Sequence, residues 1–420
     1  MKSPFGWCVI AVGLLTSSWT AVAVAQSEVA GDGGYQLSEP FAGSEPDTGF
    51  RIQADALLWS RSNSGSGGAI IGGPESFSLS GLSNGYVGGY RIGAAWLIDP
   101  NYEVEGVWTW FSNWSTTSGG TLSKAVSFND GQASLLVDPS GNANFIDRGT
   151  FFRPVYEAAI DPLANPAIQN YAFLNGGSTY TLHSTSTLYD VQANIKTRRS
   201  AAQWFSYGVG YRNIRLTEGT TAGVSGVFGT NDIPGGGNTF NILTNDALTA
   251  HGLSLVSGAA DGWTNNNPGN ATTLSLLWNG TTTNQLNGLQ GTVDASLFER
   301  GFFTLEGVLR TGLFYNRMTG TVREVYAGGG ADDSVYGRTF TDQRDAVSFA
   351  SNIGLNGVFR LGERVLFRTG YEAMFLTNAA LSGNQQNGIS DNGLGTATYS
   401  VRGGGSVVFH GLRAGVEVVW

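Results

Sequence analysis

The chain has 420 residues and few charges for its size: 13% are Asp, Glu, Lys or Arg, about half the globular norm of roughly 25%. A net charge of -9 excludes the basic stripe that phosphate backbones require, so nucleic acid is not an expected partner. Mean hydropathy is -0.06, and no window approaches the roughly 18 consecutive apolar residues of a transmembrane helix.

Residues 1–25 read as a secretory signal. Lys2 supplies the positive start, Phe5 to Leu15 a short apolar run, and Ala23-Val24-Ala25 the small-x-small end, which places cleavage between Ala25 and Gln26. The single cysteine, Cys8, falls inside that segment. The mature chain is therefore expected to hold no disulfide, cysteine metal ligand or cysteine nucleophile. Residues 26–49 follow as a flexible acidic leader carrying Glu28, Asp32, Glu39, Glu45 and Asp47.

From residue 50 onward apolar and polar side chains alternate with period two. In 50–61, Ile52, Ala54, Ala56 and Leu58 oppose Arg51, Gln53, Asp55 and Arg61. In 102–111, Tyr102, Val104, Trp108 and Trp110 oppose Glu103, Glu105 and Thr109. In 187–198, Tyr189, Val191, Ala193 and Ile195 oppose Asp190, Gln192, Asn194, Lys196 and Arg198. In 289–300, Leu289, Val293, Ala295 and Leu297 oppose Gln290, Thr292, Asp294, Ser296 and Arg300. In 303–313, Phe303, Leu305, Leu309 and Leu313 oppose Thr304, Glu306 and Arg310. In 365–375, Val365, Phe367, Tyr371, Ala373 and Phe375 oppose Arg368 and Glu372. Segments 86–98, 204–217 and 347–361 show the same period less cleanly.

A soluble β-sandwich alternates in the same way, so the connections discriminate. Tight ones fall at Asp99-Pro100-Asn101, Arg199-Ser200-Ala201, Glu299-Arg300-Gly301 and Gly362-Glu363. Long ones run about 63–85, 115–183, 218–287, 319–343 and 379–402. Short turns opposing long loops are the outer-membrane pattern, whereas loops beyond about 15 residues are uncommon in compact soluble domains.

Residues 399–420 admit either a hairpin at His410-Gly411 or one strand. One strand leaves both chain ends periplasmic and keeps Leu412, Ala414, Val416, Val418 and Trp420 on one face. That aromatic-ended pattern resembles the signal read by the barrel assembly machinery. The expected fold is all-β: an antiparallel up-and-down transmembrane β-barrel in outer-membrane lipid. It has about 10 strands, or 12 if the longest loops hide hairpins, with short periplasmic turns and long external loops.

Three places resemble a β-barrel porin family of planctomycete-type bacteria. They are Ala54-Asp55-Ala56-Leu57-Leu58-Trp59, Gly370 to Asn378, and His410-Gly411-Leu412 followed by Gly415-Val416-Glu417. Tyr90-Arg91-Ile92-Gly93 before Asp99-Pro100 is similar to the same family. The resemblance implies a barrel and carries over no functional residues.

On this alternation Arg51, Asp55, Glu103, Glu105, Asp190, Lys196, Arg198, Asp294, Glu306, Arg310, Arg368, Glu372, Arg413 and Glu417 face inward as pore-lining candidates. They either line a water path or pair across a narrow lumen and seal it. About 8 strands give an interior just filled by side chains, and open porins need roughly 16. Ten to twelve strands, narrowed by inward Trp59, Phe111 and Phe298, predict a small or occluded passage, and a long loop could fold in as a plug. The expected function is a narrow porin-like channel for small hydrophilic solutes. The alternative is a structural or surface-interaction barrel with an occluded lumen, and an outer-membrane hydrolase comes third.

Catalytic signals are sparse. His183, His251 and His410 are the only histidines, and neither a His-x-x-x-His pair nor a Gly-x-Ser-x-Gly elbow occurs. Asp190 lies seven residues from His183 with no nucleophile beside it, and Asp332-Asp333 and Asp391-Asn392 read as turn chemistry. The chain is expected not to be an enzyme and to need no cofactor or metal. Trp96, Trp108, Trp110 and Trp420 are expected at the membrane interfaces or in the lipid band.

Overall fold

The structure is a computed structural model. It describes residues 49–420 apart from internal stretches, the longest being 130–143, 153–171 and 228–241. The expected signal segment with Ala25 and Gln26, the leader to residue 48, Arg199-Ser200-Ala201 and Asp332-Asp333 lie outside the described residues.

Ten strands form the wall: β1 (Phe50–Arg61), β2 (Val87–Asp99), β3 (Tyr102–Phe111), β4 (Thr179–Thr197), β5 (Phe205–Val227), β6 (Thr273–Arg300), β7 (Phe303–Gly329), β8 (Val335–Arg360), β9 (Val365–Ala379) and β10 (Gly405–Val419). Each pairs antiparallel with its neighbour in the chain. β10 returns to β1, from Arg51↔Val419 to Arg61↔Phe409, and closes the ring. The Trp420 N–H donates to the Phe50 carbonyl at 2.9 Å, which carries the seam to the chain end. Closure leaves no free edge in the ten-strand ring where it crosses the lipid-facing band, the condition for a sheet to lie in hydrocarbon.

The ring has ten strands rather than twelve, and residues 405–419 run as one strand without turning at His410-Gly411. After a break at residues 112–113, the chain of β3 continues as Trp114–Thr121, still paired to β4. The β2–β3 turn is fixed by Asp99, whose Oδ1 accepts the N–H groups of Asn101 (2.7 Å) and Tyr102 (2.9 Å).

The wall is taller than a membrane. β6, β7 and β8 hold 28, 27 and 26 residues, against about 10 for one crossing. Residues 218–227, 273–287, 319–329 and 335–343, expected in loops, are therefore wall. Their side chains alternate with the opposite polarity. Near the turn end of β6, Leu289 faces outward at 73% exposure, while Gln290 and Thr292 are buried inside. Further along, Ser275, Thr281 and Gln285 are exposed, and Leu274, Leu276, Trp278 and Leu286 are buried. The first zone is apolar outside and polar inside, as lipid demands. The second is polar outside and apolar inside, as water demands.

Aromatic girdles bound the lipid-facing band. Trp96, Trp204, Phe298, Phe302 and Trp420 are exposed at the turn end, and Trp110, Tyr189, Tyr211 and Tyr315 at the other limit. Trp108 lies between them, packed edge-on against Tyr90 at 5.2 Å. Phe298, expected inside, is 51% exposed on the outer surface. A register shift between Ser296 and Phe298 inserts one residue and turns the side chain over.

The luminal layers as the candidate functional site

The interior is stacked in layers. At the turn end lies a charged layer built from side chains that the period-two geometry aims inward. Lys196 on β4 meets Glu105 (2.9 Å), Asp294 (2.9 Å) and Glu103 (3.4 Å). Arg310 reaches Glu105 at 3.5 Å. Arg368 joins Glu417 (2.8 Å) to Glu306 (3.3 Å), and Arg51 pairs with Glu103 and, at 3.8 Å, with Glu417. Arg413 binds Glu372 at 2.6 Å and approaches Asp55 at 3.8 Å. Arg198, past the end of β4, lines the same cavity of about 60 Å³, room for a few waters.

Two inward cations belong to this layer that sequence reading passed over. Arg91 on β2 grips Glu372 with two bonds of 2.9 and 2.8 Å, and its Nε donates to Thr109. Arg212 on β5 grips Asp190 with two bonds of 2.8 Å. Both sit in strands whose alternation is blurred by Gly and Tyr. The usable signal was an arginine at an inward position, which needs a carboxylate opposite it. Among the described residues of this layer, with Arg91 and Arg212 included, cations and carboxylates occur in equal number. Pairing is what lets so many charges be buried, since an isolated buried charge would cost far more.

Above the charges lies an apolar layer. Leu57, Trp59, Phe111, Leu188, Ile214, Leu286, Phe314, Ala350, Met374 and Phe409 are all buried in one cluster. Val87 of β2 packs against it, so every wall strand contributes. Trp59, Phe111, Trp114 and Phe409 form a chain of rings with centroids 4.8, 5.0 and 5.2 Å apart. These rings lie along the arc from β10 through β1 and β2 to β3, and the buried cluster they belong to takes a residue from all ten strands, filling the lumen at this level.

Residues 379–388 fold onto that layer from the loop end. Asn378 adopts φ 54° at a register shift between Thr377 and Ala379, which turns the chain out of the wall. Ala380, Leu381, Ser382 and Gln385 are buried. Glu218, ion-paired with Arg61, accepts the Ser382 N–H at 3.1 Å, and Thr220 bonds the Ser382 hydroxyl at 2.6 Å. Beyond this plug the outer half holds a second apolar core with Ile70, Leu82, Leu248, Trp278, Tyr326 and Tyr336.

His183 and Asp190 do not meet. An odd spacing puts them on opposite faces: His183 bonds Thr117 at 2.8 Å outside, and Asp190 holds Arg212 inside. Instead His251 approaches Asp391 at 3.2 Å in the outer half, where Arg338 joins Asp391 (3.1 Å) to Glu324. The spacing of these four residues, from a loop, a hairpin and wall strands β7 and β8, gave no sequence signal of their meeting.

No protein-family model matches the chain, so the planctomycete-type resemblance rests on its short motifs alone, and no curated protein sequence is similar to it. Among solved structures it is similar to the outer-membrane protease OmpT of Escherichia coli, with TM-score 0.40, 10% identity and coverage of 89% of this chain and 97% of that one. It is also similar to the translocator domain of the autotransporter NalP of Neisseria meningitidis, with TM-score 0.27, 10% identity and coverage of 89% and 90%. A FadL homologue of Pseudomonas aeruginosa gives TM-score 0.28 and 9% identity, with coverage of 89% and 90%. A protease thus stands beside translocator and FadL-type barrels, and likeness at this level assigns none of those activities. The expectation that the chain is not an enzyme is accordingly withdrawn.

Proposed function

We propose that this chain is an outer-membrane barrel with a sealed lumen, anchored by its lower half and working through the water-facing outer half as a surface-interaction module. One observation carries the reading. Apart from Ala379 and Leu381, the apolar layer around Trp59, Phe111, Trp114, Phe314 and Phe409 is made of side chains outside residues 379–388, so displacing that segment would remove little of the layer and would not by itself open a path. Hydrated solutes do not cross a packed apolar layer without wetting it, and such a constriction closes a pore.

The turn end then faces the periplasm, with both barrel termini on that side. The outward row Leu412, Ala414, Val416, Val418 and Trp420 is offered to the barrel assembly machinery. A narrow channel for small hydrophilic solutes is the second reading, favoured by the charged cavity at the turn end. Swelling of liposomes containing the refolded chain decides between them. The sealed reading predicts swelling rates in small sugars and amino acids equal to those of protein-free liposomes, and solute-size-dependent swelling supports the channel.

A further inference from the structure

We propose that the outer face of β5–β7, just beyond the lipid-facing band, binds the phosphorylated headgroup of a glycolipid in the adjoining leaflet, with Arg215 and Arg317 on its phosphate groups. Register places Arg215, Gln285 and Arg317 side by side on three neighbouring strands. Strand spacing of about 4.8 Å sets the two arginines about 10 Å apart. Two positions nearer the membrane the same strands carry Asn213, Asn287 and Tyr315, and the next row is Tyr211, Leu289 and Leu313. Two positions further out they carry Thr217, Thr283 and Thr319. From membrane to water the surface therefore runs apolar, amide, cationic and hydroxyl. That order matches the acyl chains, linkages, phosphates and sugar hydroxyls of a phosphorylated glycolipid.

Charge supports this occupant. The chain carries -9 overall, yet both arginines are exposed and ion-paired to no carboxylate among the described residues. Arg317 donates only to the Gln343 carbonyl oxygen at 2.7 Å. The acid facing it across the strand pair, Asp345, is taken by the Tyr315 hydroxyl. Guanidinium groups bind phosphate through paired N–H bonds, and beside a low-dielectric bilayer those bonds strengthen.

The inference rests on the membrane placement of the lower half of β6, and the experiment separates the two. The full chain is placed in lipid nanodiscs of phosphatidylcholine doped with a bisphosphorylated glucosamine lipid or its dephosphorylated form. Lipid retained after detergent extraction is counted by native mass spectrometry. Retention of the phosphorylated form should be about tenfold higher, as expected for two lost solvent-exposed ion pairs. Arg215→Ser/Arg317→Ser should lower it to the dephosphorylated level, and Arg360→Ser at the turn end should leave it unchanged. Equal retention of the two lipids by the unaltered chain overturns the inference without reference to any variant, as does undiminished retention by a folded double variant. A chain that does not enter the disc overturns both the inference and the membrane placement.

Discussion

Asn284 on β6 and Ala380 in the luminal segment exchange two hydrogen bonds. The Asn284 side-chain amide donates to the Ala380 carbonyl at 2.8 Å, and its carbonyl oxygen accepts the Ala380 N–H at 2.7 Å. One wall side chain thus replaces a neighbouring strand for a stretch of backbone that has left the sheet. Removing it leaves a buried donor and acceptor unsatisfied, each costing about 1–3 kcal/mol. Asn284→Leu should therefore release residues 380–388 and raise proteolytic cleavage there by more than tenfold while the barrel stays folded. Unchanged cleavage would show that packing and the Glu218 and Thr220 bonds to Ser382 hold the segment without Asn284.

The paired grip of Arg212 on Asp190 is buried inside the barrel. Breaking a buried pair from one side costs about 3–5 kcal/mol, because a charge is left behind. Asp190→Asn should lower the urea midpoint of the refolded barrel accordingly. Asp190→Asn combined with Arg212→Met should recover most of that loss.

The change of polarity along β6 predicts three different outcomes for one substitution. Val293→Arg, midway between the girdle rows of Leu289 and Phe298 on the outer face, places a charge in the lipid band, at about 2–4 kcal/mol near mid-depth, and should reduce the heat-modifiable folded fraction. Thr281→Arg, on the water-facing outer surface, should stay within about 0.5 kcal/mol of the unaltered chain. Trp278→Arg should prevent the outer half from packing. Equal folding of the Val293 and Thr281 variants would overturn this placement of the membrane boundary.

That boundary is also where the sequence stops being legible. Residues 50–61, 102–111 and 289–300 alternate as a membrane strand should, so a ring of about ten strands and the tight turns at 99–101, 299–301 and 362–363 could be read directly. In 273–287 the same strand shows Ser, Thr, Asn and Gln outside and Leu and Trp inside. With Gly and Thr throughout, that composition reads as a surface loop although it is wall. Phe298 was misplaced because a single inserted residue, invisible to a fixed period, turned it outward. The luminal segment was equally hidden, since its entry depends on one left-handed residue, Asn378.

Two tyrosines of the outer half give the fold an alkaline limit. Burial and the neighbouring Glu324 carboxylate push the Tyr326 phenol well above its ordinary range, and burial and Asp342 do the same to Tyr399. Groups raised in the folded state stabilise it below their unfolded value, about pH 10, and lose that contribution as pH climbs toward the folded value. Unfolding midpoints should thus be flat from about pH 8 to 9.5 and fall above about pH 10. Tyr326→Phe should make the fall shallower, and an identical slope would remove Tyr326 as its cause.

Single-channel recording in planar bilayers tests the sealed lumen most directly. The unaltered chain should insert without conductance steps at any voltage. Trp59→Ala combined with Phe409→Ala, which thins the apolar layer at the seam between β1 and β10, should produce them. Steady ohmic steps from the unaltered chain would contradict the account.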